Sequence, residues 1–115
     1  MKRGVFSERE RNLRKKSEKE RELFRYKMLA SSSVEVYEAC SKIRFYECFY
    51  EYFQYVEHME KRLIDACLGE SDLMEALWGL YMEREYLKCD TWEEMEEILA
   101  VLVEGKEHDI FRNGE

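Results

Sequence analysis

The chain has 115 residues, 45% of them hydrophobic, and a formal charge of −7. That length and apolar content suit a single domain with one modest core and exclude a globally disordered chain. With no proline, five glycines and a surplus of Glu, Lys, Arg, Leu and Met, all good helix formers, and with no β-branched run that reads as a strand, the expected class is all-α: a small bundle of four to five helices with a long, charged N-terminal helix.

Ser7 with Glu10 reads as a capping box opening a first helix from Glu8 to about Ala30. Leu13, Leu23, Phe24, Met28 and Leu29 are its apolar positions, but its first half, ERERNLRKKSEKERE, is almost all charge and reads as surface. Residues 1–20 are therefore expected to add little to the core and to be removable. Residues 1–30 carry eleven Lys/Arg and five Glu, a formal +6, and the rest carry eight against twenty-one Asp/Glu, a formal −13. This polarity divides the chain into a basic helical arm (1–30), an acidic bundle (31–105) and a flexible tail (106–115). The arm is expected to lie on the acidic body of its own chain or of a twin, to touch nucleic acid, or to remain a solvated helix.

Ser32 with Glu35 makes a second capping box, opening a helix from Ser33 to at least Tyr55. Its core is FYECFYEYFQY, where seven of eleven residues are Phe or Tyr. At 100° per residue, Phe45, Phe49, Tyr52, Phe53 and Val56 form one face, with Val36, Ala39, Ile43, Tyr46 and Tyr50 on an adjoining one. An aromatic face this wide implies a central helix wrapped by neighbours. Tyr50 and Tyr55 are candidates for an interface, since tyrosine is enriched there. A stacking platform for single-stranded nucleic acid would need Lys and Arg between the rings, and here Glu47, Glu51 and Glu57 stand between and beside them.

EHMEKRLIDACLG continues this helix or starts a short one after a bend near His58, with Gly69 as its stop. Asp72 with Glu75 reads as a cap over LMEALWGLYMEREYL, where Leu73, Ala76, Leu77, Leu80 and Leu87 share a stripe and Gly79 suggests a close helix contact. Thr91 with Glu94 caps the last helix, with Trp92, Met95, Ile98, Leu99 and Leu102 inward. Gly105 is its expected end, and Ile110 and Phe111 are expected to fold back from the tail.

The search for chemistry returns little. Cys40, Cys48, Cys67 and Cys89 lack C-x-x-C spacing and read as reduced, largely buried thiols. Glu57, Glu60 and Asp65 around His58 form the one cluster resembling a site, but no Glu-x-x-His pair of the kind used in di-metal bundles is present. No phosphate-cradling loop or nucleophile–base set stands out. No cofactor, metal or catalytic residue is expected. The absence of a long uncharged apolar run points to a cytoplasmic protein without a membrane partner.

The segments SSSVEVYEACSKIRFYECFYEYF and LMEALWGLYMEREYLKCDTWEEMEEILAVLVE carry a resemblance. They resemble a family of short helical proteins of unknown function from gut Firmicutes, their phages and mobile elements, at Glu35, Val36, Tyr37, Ala39 and Glu47 and again at Leu73, Leu77, Tyr81, Trp92 and Met95. The resemblance implies a mobile-element or phage protein that inhibits or modulates a host protein, with anti-CRISPR proteins as the sharpest example of the type. From charge, the expected contact set is the acidic surface of Glu47, Glu51, Glu93, Glu94, Glu96 and Glu97, facing a basic host protein. A homodimer is a further expectation. The alternative is a small nucleic-acid-binding regulator using Arg9, Arg11, Arg14, Lys15, Lys16 and Lys19.

Overall fold

The computed structural model describes residues 7–113, and side chains as far as Glu107. It contains six helices: α1 (Glu8–Leu29), α2 (Ser33–Glu38), α3 (Cys40–Tyr55), α4 (Lys61–Leu68), α5 (Leu73–Glu83) and α6 (Trp92–Asn113). The class is all-α as expected, but four to five helices is too few.

Two breaks set the count: the one near His58 is the bend the sequence offered as an alternative, and the unforeseen one at Ala39 adds the sixth helix. The first along the chain is at Ala39, where φ −94° and ψ 9° bend the chain between α2 and α3. Continued straight back from the Phe45 face, one helix would place Glu38 and Glu35 on the buried side, because residues 38 and 45 lie two turns apart. In the structure both carboxylates are exposed. The second break is the extended stretch from Val56 to Glu60, after which α4 starts as a separate helix. Val56 and Met59 are buried and anchor this connection.

Three local caps form as the sequence implies. Ser7 with Glu10 and Ser32 with Glu35 make complete capping boxes. Thr91 and Glu94 exchange side chain–backbone bonds of 3.1 Å each, and Glu94 also accepts from the Asp90 amide at 2.9 Å. The Asp72–Glu75 box does not form: Asp72 makes no capping bond. Glu20 of α1 takes that place, accepting from the amides of Leu73 at 2.9 Å and Met74 at 2.6 Å. Gly69 does follow α4, but with an ordinary φ of −77°. Gly105 ends nothing, for α6 runs on to Asn113 and the expected tail at 106–115 is helical as far as it is described. The side chains of Ile110 and Phe111 lie outside the described residues. α5 stops at Glu83 rather than Leu87; Leu87 and Cys89 are instead buried from the following loop.

α1 packs on α3, α4 and α5, while α6 packs on α4 and α5. The molecule is a slab of 44 × 42 × 24 Å, two helix diameters thick. Phe45, Phe49, Tyr52 and Phe53 are at most 1% exposed at its centre, tied by ring contacts of 5.0–6.3 Å. Leu73, Leu77, Met95, Ile98 and Leu99 close the core around them. Leu13 and Ser17 are also fully buried, so the first half of α1 is not the surface element its charge suggested.

Candidate protein-binding surface

The charged half of α1 is consumed largely by its own chain. Arg14 donates to the carbonyls of Phe53, Gln54 and Val56, at 2.6 Å to the first and last. These carbonyls close the C-terminal end of α3, where unpaired acceptors and the negative end of the helix dipole favour a cation. Burial pulls the Arg14 guanidinium below its ordinary pKa despite the nearby Glu10 carboxylate. Arg9 pairs with Asp65, which Lys61 also holds at 2.9 Å. The Lys61 hydrogen bond, with that of Arg9 behind it, lowers the Asp65 carboxyl below its usual value. Lys16 lies 3.5 Å from Glu20, and Arg21 pairs with Glu47 at 3.1 Å.

Of the six candidate nucleic-acid contacts, Arg9, Arg14 and Lys16 have the partners just described, and Arg11 is not free either. Arg11, Lys15 and Lys19 are exposed, but Glu18 and Glu22 share that outer face. The structure does not bring the six together as one basic stripe.

The interface aromatics separate as well. Tyr50 is partly buried, with the Arg21 guanidinium 4.0 Å above its ring. That cation–π contact satisfies the ring within the monomer. Tyr55 is 68% exposed and stands at the C-terminal end of α3. Two buried tyrosines instead donate to carboxylates: Tyr46 to Glu75, and Tyr52 to Glu96 at 2.9 Å. Burial and those hydrogen bonds push both phenols well above their ordinary value.

The acidic candidates also divide. Glu47 is held by Arg21, Glu94 serves the α6 cap and Glu96 accepts from Tyr52. Glu51, Glu93 and Glu97 are exposed. On α6, Glu93 and Glu97 share a stripe with Ala100 and Glu104, because offsets of four, seven and eleven residues return to one helix face. Glu93, Glu97 and Glu104 have no cationic partner among the described residues. The sequence reading missed Glu104, although its offset from Glu93 was available.

Beside this stripe, α4 and α6 enclose a cleft of about 340 Å³ lined by His58, Glu60, Arg62, Leu63, Glu96, Ala100, Val103 and Glu104. Its walls combine a short apolar floor (Leu63, Ala100 and Val103) with three carboxylates. Arg62 is turned toward Glu107 at 3.1 Å. The cluster expected around His58 is thus split: His58 and Glu60 reach the cleft, while Asp65 is engaged with α1. Among the described residues, no group of three or more His, Cys, Asp or Glu side chains is placed to hold a metal ion. No helix there is long and apolar enough to cross a membrane.

Cys67 and Cys89 are buried, Cys48 is partly buried and Cys40 is exposed. Burial pushes the Cys67 thiol up to about 12, which leaves it protonated and unreactive at neutral pH. No protein family matches the sequence, and neither the curated proteins nor the solved structures contain a match to it.

Proposed function

We propose that this protein is a non-enzymatic binding protein, of the mobile-element type, that inhibits or modulates a host protein through the acidic face of α6 and the adjoining α4–α6 cleft. The observation that carries this reading is the Glu93–Glu97–Glu104 stripe, exposed and without cationic partners among the described residues. Such a stripe raises the encounter rate with a basic surface and repels phosphate. The cleft adds an anchor. Its apolar floor suits the methylene stem of a partner Arg or Lys, and Glu60, Glu96 and Glu104 suit the charged head. The competing nucleic-acid reading loses ground because Arg9, Arg14, Lys16 and Arg21 already serve ion pairs and a helix end.

Two measurements test the proposal together. Anisotropy of labelled duplex DNA should report no sub-micromolar binding at about 0.15 M salt, and only a weak, steeply salt-dependent signal at about 0.05 M. A pull-down from host lysate should retain a protein that is lost with the Glu93→Lys/Glu97→Lys/Glu104→Lys variant but kept with Lys15→Glu/Lys19→Glu. Tight DNA binding, or retention that follows Lys15 and Lys19 instead, sinks the proposal in favour of the nucleic-acid regulator.

A further inference from the structure

A second surface, independent of the acidic stripe, carries its own assignment. Leu23, Tyr26 and Leu29 on the C-terminal half of α1 are 62%, 76% and 85% exposed. Val34 and Tyr37 on α2 are 63% and 78% exposed. The α1 residues recur every third position, so they form one slanted row. The turn at Ala30–Ser32 joins that row to α2. α2 buries none of its residues, although a complete capping box opens it. Six residues are too few for a helix to persist on its own in water; α2 is held by its cap, by its hydrogen-bonded join to α3 through Ala39 and by its contact with α3, while its outer side chains stay uncovered.

We propose that the protein is a two-fold homodimer whose interface is this α1–α2 ridge. Area and charge select a second copy as the occupant. The five side chains leave on the order of 600 Å² of largely apolar surface per copy, taking roughly 150–250 Å² for each tyrosine and about 150 Å² for each of the smaller aliphatic residues. That exceeds the few hundred Å² a monomer ordinarily leaves bare and approaches the ~800 Å² per partner of a stable interface. The rim has opposite charges on its two sides: Arg25 and Lys27 flank the ridge on α1, where Glu22 also lies one turn before Tyr26, and Glu35 and Glu38 flank it on α2. A two-fold axis that sets the α1 end of one copy against α2 of the other pairs these charges twice. This is what an isologous contact requires.

Sedimentation velocity of the full chain between about 1 and 100 μM tests the assignment. The expected species at the upper end has twice the monomer mass of 14.1 kDa. Leu29→Glu and Tyr37→Glu alter well-exposed positions, so both should keep their helical circular dichroism and shift the dimer dissociation constant upward by roughly 30-fold or more, as expected when a charge enters an apolar interface. Arg25→Glu and Glu38→Lys should each weaken the dimer, and together they should restore it. A wild-type chain that stays monomeric at the highest concentration overturns the proposal. So does a dimer unmoved by Leu29→Glu and Tyr37→Glu, or a charge swap that fails to restore association.

Discussion

Phe49 meets Phe45, Tyr52 and Phe53 at ring distances of 5.0, 6.3 and 5.9 Å and is wholly buried. Phe49→Ala should lower unfolding free energy by about 3–5 kcal/mol, because transfer and cavity terms add in a packed site; urea denaturation would measure it. This face was legible in the sequence, since i, i+3 and i+4 repetition of large rings is a local signal. The polar partners of the rings were not. Glu75 looked like half of a capping box, yet it accepts from Tyr46 and pairs with Lys42 at 2.7 Å. Its partners lie 29 and 33 positions back along the chain, a separation no periodicity reports. Burial raises the Glu75 carboxyl, but the hydrogen bonds from Lys42 and Tyr46 and the Lys42 charge outweigh it, so the net displacement is below its ordinary 4.5. A carboxyl lowered on folding contributes stability above its unfolded pKa and loses it as pH falls through the folded one. Melts from pH 6 downward should therefore show less acid sensitivity in Glu75→Gln than in wild type. Equal slopes would remove Glu75 as a source of that sensitivity.

Helices end where their terminal groups find partners, and at this scale sequence and structure part company in a regular way. The Ser7, Ser32 and Thr91 caps are short-range and could be read directly, because each box closes within three residues. The ends of α3 and α5 could not, for Arg14 closes the first from about 40 residues away and Glu20 opens the second from more than 50. Both charges have the sign each helix end prefers. Glu20→Ala should cost about 1–2 kcal/mol, in line with loss of a helix cap. Arg14→Ala should cost at least as much, since it strands three carbonyls. Glycine misled in the opposite direction. Gly79 and Gly105 lie inside α5 and α6, and a Cβ added at either meets nothing within 4 Å. Neither supports a close helix contact or a helix end. Gly79→Ala and Gly105→Ala should each stabilise the protein by about 0.5–1 kcal/mol. A fall in melting temperature in either variant would mean that the position is crowded.

At the scale of the molecule, the slab has a radius of gyration of 15.1 Å, against roughly 13 Å for a compact domain of this length. A flat body has less interior to hold it, so an element that spans it matters more. α1 is that element, because it touches α3, α4 and α5, supplies Leu13 to the core and contributes the charges that finish two neighbouring helices. Its composition concealed this role. A row of one residue per turn, Leu13 and then Ser17, is too narrow to register as an apolar face, yet a serine that donates to the Arg14 carbonyl at 2.9 Å packs without penalty. A chain beginning at Lys19 would keep Glu20 but lose Leu13, Arg14 and the Arg9–Asp65 pair. Removing a buried leucine alone costs about 2–5 kcal/mol, and the three exposed carbonyls add to it, against a total stability of about 5–15 kcal/mol for a domain. The shortened chain should therefore lose cooperative unfolding and most of its helical signal at 25 °C. A truncated protein that melts sharply within a few degrees of wild type would show instead that α3 to α6 form a self-sufficient body and that the first half of α1 is an appendage.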